Sequence, residues 1–83
     1  MFFKTLTQAG HTRSFMVQAH REDGWEVRIE QDSQVIRQMW YTDWHRVERA
    51  LSAMQREVDA LQMQGWQALG GDHRSPRFQS MNR

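Results

Sequence analysis

Cysteine is absent from the 83-residue chain, so disulfides and thiolate metal ligands are excluded. A chain without cysteine suits a reducing compartment, and a cytoplasmic location is the expectation. Proline occurs once, at Pro76, and glycine only five times. Long stretches of the chain therefore carry neither of the strong breakers of regular structure. No apolar run approaches the roughly 20 residues needed to span a bilayer, so no membrane insertion is expected. The opening Met1-Phe2-Phe3-Lys4-Thr5 lacks the extended apolar core of a secretory signal. Neither sign of charge dominates, the formal balance being +1. A body this close to neutral does not by itself point to strong nucleic-acid binding.

What is present is a clear helical period. Trp44, Val47, Leu51, Met54, Val58 and Leu61 recur at alternating steps of three and four. That spacing puts them on one stripe of an α-helix spanning 43–64. Thr42 or Asp43 can accept a hydrogen bond from a free N–H of the first turn. Gly65 stands where a left-handed residue would end the helix, and Trp66 should pack back near Leu61.

Residues 2–41 alternate instead with the period of strands near 2–8, 12–21, 25–31 and 35–41. A two-residue turn at Gly10-His11 would pair Leu6 with Phe15 and Phe2 with Ala19. A three-residue loop, Glu22-Asp23-Gly24, would pair Val17 with Ile29 and Ala19 with Val27. A two-residue loop there would mix apolar and charged residues on one face. A turn at Asp32-Ser33 would pair Ile29 with Ile36 and Trp25 with Trp40. Gln38 would then face inward opposite Val27; a shift by one would place Arg37 there, a costlier group to bury. The expected inner face is Phe2, Leu6, Phe15, Val17, Ala19, Trp25, Val27, Ile29, Ile36 and Trp40. The expected fold is α+β, a four-stranded antiparallel meander followed by one helix on one face, ββββα, in a single domain of residues 1–67. Residues 68–83, with Gly70-Gly71, Pro76 and three arginines against one aspartate, read as a disordered basic tail.

No constellation of residues suggests catalysis or a cofactor. The four histidines, His11, His20, His45 and His73, fall on separate elements. No pair of them has the spacing of a helical metal site. The serines lack a nucleophile-elbow context. Glu26 and Glu30, beside Arg28 and Arg37, read as cross-strand charge pairing rather than an acid–base pair. An enzyme is therefore the third-ranked reading. The first is a non-enzymatic interaction module that forms a homodimer.

The expected interface follows from lengths. A helix of about 22 residues is roughly 33 Å long, whereas a strand of about seven residues spans roughly 23 Å. The C-terminal end should overhang the sheet and expose Val58, Leu61, Met63 and Trp66 for a second copy. The alternative is a single-strand nucleic-acid module using Arg28, Arg37, Tyr41 and His20 on the outer sheet face. Four strands followed by a helix is also the element order of several single-strand-binding folds. That likeness is one of topology only, with no shared motif. On the helix back, Arg46, Arg49 and Arg56 fall along one line and read as a solvated face.

Overall fold

The computed structural model of the chain describes residues 2–69. Four strands, β1 (Phe2–Gln8), β2 (His11–His20), β3 (Gly24–Gln31) and β4 (Gln34–Tyr41), lead into one helix, α1 (Trp44–Met63). A two-residue strand, β5 (Gln67–Ala68), follows the helix. All five belong to one antiparallel sheet in the order β4-β3-β2-β1-β5. The α+β architecture expected from the alternation is present, with β5 added beside β1. No helix among the described residues is long and apolar enough to cross a membrane.

Both ends of α1 follow from the local sequence. The Asp43 carboxylate accepts a hydrogen bond from the His45 amide at 3.0 Å. At the other end the Trp66 amide donates to the Leu61 carbonyl and the Gly65 amide to Gln62, with Gly65 at φ +105. This pair of bonds is the Schellman termination, which needs a residue free to adopt positive φ. Gln8 of β1 adds a side-chain bond to the Gln64 carbonyl at 2.9 Å.

The faces are as expected for the first three strands, but the registers are not. The first turn is Ala9-Gly10, with both residues at positive φ, closing Gln8 against His11. Leu6 therefore pairs with Arg13 and Phe2 with Val17, two residues from the expected pairing. The second loop closes His20 against Gly24, so Val17 pairs with Val27 and Ala19 with Trp25. A slip of two keeps every side chain on its face, so burial alone cannot choose between the two registers.

The fourth strand departs in kind. Its turn is Asp32-Ser33 as expected, and Gln31 pairs with Gln34. A β-bulge then leaves Ile36 unpaired, and Ile29 faces Arg37, Val27 faces Met39 and Trp25 faces Tyr41. One extra residue turns the rest of the strand over. Arg37, Met39 and Tyr41 stand on the helix side, while Gln38 and Trp40 stand on the open side with their partners Arg28 and Glu26. The expected inward positions of Gln38 and Trp40 are therefore corrected, and Ile36 is unpaired and half exposed. The cost feared for Arg37 does not arise. It stays exposed at the sheet edge and meets Glu57 of α1 at 3.5 Å.

The core lies between the helix stripe and the first three strands. Leu6, Phe15, Val17, Val27 and Ile29 from the sheet meet Val47, Met54, Val58 and Leu61 from the helix. At the start of α1 the Trp25 and Trp44 rings touch, their centroids 5.3 Å apart.

Candidate functional site

The helix end does not overhang. The chain turns back after Gly65, where the Trp66 amide bonds to the Leu61 carbonyl, and lays β5 beside β1. Val58 and Leu61 are consequently core residues. Trp66 is half-buried against that core, beneath the Arg13 guanidinium at 5.6 Å. Met63 is 89% exposed and stands apart from the other three. The four residues expected to form an interface thus do not make a shared surface patch. Of the segment read as a tail, Ala68 pairs with Leu6, and the Leu69 amide donates to the Thr5 carbonyl. Residues 70–83 lie outside the described residues.

The residues expected on a nucleic-acid face are likewise divided. Arg28 and His20 are on the open side of the sheet. Arg37 and Tyr41 are on the helix side, Tyr41 packed against the core. Arg28 is also held between two carboxylates, its Nε 3.5 Å from both Glu26 and Glu30. A guanidinium neutralised in this way has little charge left for phosphate. Arg46 and Arg49 lie along α1 beside shallow hollows formed with Tyr41 and Ala50.

The open face carries instead a polar cluster that the alternation alone did not reveal. Glu26 is only 4% exposed although the helix covers the other side of the sheet. His20 reaches its Oε1 at 3.0 Å, and the Gln38 amide donates to its Oε2. The Trp40 ring lies 4.8 Å from the His20 ring, centroid to centroid. The hydrogen bond from Gln38 chiefly, then those from His20 and the charge of Arg28, hold the Glu26 carboxyl below its ordinary range against the opposing effect of burial. Every carboxylate oxygen is thereby engaged by the protein itself, so this arrangement pins β2, β3 and β4 together. The bulge at Ile36 makes the cluster possible by bringing Gln38 and Trp40 to this side. Its signal in the sequence is faint: Glu26 reads as a surface partner of Arg28 and Arg37, and only the bulge brings Gln38 to it instead.

A second tie holds the opposite end of the sheet. The Asp32 carboxylate accepts from the His11 ring and from the Thr12 amide, both at 2.9 Å. These bonds, the histidine's first, keep Asp32 below its usual carboxylate range. On the helix side, Glu57 receives both Arg13 and Arg37. Among the described residues no group of three or more histidine, aspartate and glutamate side chains is arranged to hold a metal ion.

What stays open is β4. It is an outer strand, and no strand among the described residues pairs with its other side. Val35, Ile36, Met39 and Trp40 are each about half exposed, from 47% to 51%. At the opposite edge the two-residue β5 covers β1 at Leu6 and Thr7. Short edge strands discourage pairing with other chains, whereas a long edge with β-branched and aromatic side chains invites it.

The hydrogen bonds of β3 set the backbone direction at β4. The Asp32 amide donates to Thr12 of β2, so even-numbered β3 residues bond to β2 and odd-numbered ones to β4. Their partners Arg37, Met39 and Tyr41 therefore point their amides and carbonyls at β3. Gln38 and Trp40 point theirs outward, where a further strand could bond to them. Comparison with protein-family models, with curated proteins and with solved structures finds no match to this chain.

Proposed function

We propose that the protein is a cytoplasmic, non-enzymatic interaction module that works by accepting an extended strand at β4. The observation that carries this reading is the state of that edge: eight residues without proline, four large apolar side chains about half exposed and outward-pointing amides at Gln38 and Trp40. Strand addition draws affinity from backbone hydrogen bonds and selectivity from alternate side chains. The Glu26 tie supports the reading, since the bond from Gln38 holds the strand in place before a partner arrives, and Asp32 fixes the turn that leads into it. A preformed edge spares the partner the entropy of ordering both surfaces.

The test is titration of the dilute full chain into a fluorescent peptide of alternating threonine and valine, flanked by lysines. Such a peptide favours the extended form without copying this sequence. Saturable binding is expected, and it should be lost in Ile36→Lys, which places a charge on the edge and leaves the core untouched. Equal binding by that variant, or no binding by the unaltered chain, overturns the proposal.

A further inference from the structure

We infer that the strand received at β4 is the β4 of a second copy, antiparallel to the first about a two-fold axis through Gln38. This rests on the edge reading above and names its partner. Only a few symmetric registers exist, because the outward-pointing residues must bond to one another. A centre on Arg37 would set the two arginines directly opposite, a like-charge pair that destabilises a sheet. A centre on Met39 would leave Val35 facing Asp43 and Ile36 facing Thr42 of the second copy. A centre on Gln38 sets Ile36 against Trp40 and Arg37 against Met39, each pair occurring twice, and the bulge ends the regular pairing before Val35.

That register covers Ile36, Met39 and Trp40, three of the four half-exposed apolar side chains of β4. Pairs of an aromatic with a β-branched residue are among the favourable cross-strand combinations. Charge fits as well, since Arg37 is the strand's sole charged residue and its own Glu57 answers it. Continuing the sheet in this way also places the two copies of α1 on the same side, so neither helix obstructs the joint. Eight residues at 3.3 Å make an edge of about 26 Å. With side chains on both faces it covers roughly 500 Å² per copy, or roughly 1,000 Å² in all, at the lower bound for a specific interface. A micromolar, concentration-dependent dimer is therefore expected.

Absence of native cysteine allows a direct test in the full chain. Gln38→Cys puts two thiols on the axis, within the 4.4–6.8 Å Cα separation typical of a disulfide. Met39→Cys and Ile36→Cys put them two and four residues out of register, beyond that reach. Mild oxidation should link Gln38→Cys into a covalent dimer at least tenfold faster than either control. Sedimentation of the unaltered chain should show the 10.0 kDa mass doubling as concentration rises through the micromolar range. Ile36→Lys should shift that transition upward at least tenfold in concentration. Faster linking through Met39→Cys overturns the register. A chain monomeric at high micromolar concentration overturns the second copy as partner. If the threonine–valine peptide still binds that monomer, the edge reading survives alone; if it does not, both fall. A dimer indifferent to Ile36→Lys places the contact elsewhere and overturns the inference.

Discussion

Replacing Glu26 by glutamine perturbs a buried ionisable group that joins three strands. The side chain keeps its size, and Gln38 can still donate to the new amide oxygen. What is lost is the charge that His20 meets at 3.0 Å and Arg28 at 3.5 Å. Hydrogen bonds to a charged group contribute about 1.5–3 kcal/mol each, but Arg28 keeps Glu30 at 3.5 Å and is 30% exposed, which softens its share. The expected loss at pH 7 is about 2 kcal/mol. With a urea slope of about 1 kcal/mol per molar for a chain this small, the unfolding midpoint should fall by about 2 M. The pH dependence has a definite sign. Glu26 titrates below the ordinary value of 4.5 in the folded state. Its contribution is therefore complete above 4.5 and is lost as the pH falls through the lower folded value. The gap between the two proteins should be widest near neutrality and narrow in acid. A gap that is the same at pH 7 and pH 3, or a variant as stable as the parent at pH 7, would refute this account of the cluster.

Other expectations follow from single positions. Gly24→Ala should destabilise by at least about 2 kcal/mol in thermal unfolding, because φ is +90 and the added carbon would lie 2.2 Å from the Tyr41 carbonyl oxygen. Val58→Ala should cost about 2 kcal/mol in denaturant unfolding whatever the oligomeric state, since Val58 is a core residue. Met63→Ser, at an 89% exposed position, should stay within about 0.5 kcal/mol of the parent. Ala9→Asn should raise the stability by about 0.5–1 kcal/mol, because alanine is poorly suited to positive φ, and φ at Ala9 is +52. Asp43→Ala should remove about 1 kcal/mol, read as a loss of helical signal and of midpoint.

The helix was legible almost to the residue because period, caps and terminator agree within one continuous segment. Asp43, Gly65 and Trp66 each act on neighbours a few positions away, and such effects are written locally. The sheet was legible only modulo two. Leu6, Phe15 and Val17 face the core in either register, so their burial could not reveal whether the first turn began at Ala9 or Gly10. The bulge at Ile36 was hidden for a different reason. Apolar Ile36 and Trp40 argue for an inward face only where the helix covers the strand, and α1 leaves β4 largely bare. There the bonds of Gln38 to Glu26 and of Arg37 to Glu57 decide the orientation. Both involve residues distant in sequence, and a reading that ranks side chains by hydrophobicity misses them. The helix-end residues were placed at a surface through the same neglect of context: β5 was not anticipated, and Val58 and Leu61 lie in the core.

Amide hydrogen exchange along β4, at two protein concentrations, tests most directly whether this edge receives a strand. In dilute solution Arg37 and Met39, bonded to β3, should exchange slowly while Gln38 and Trp40 exchange fast. At high micromolar concentration Gln38 and Trp40 should become protected as well, by at least tenfold. Fast exchange at Gln38 and Trp40 at every concentration, or equal protection of all four at the lowest, would contradict it.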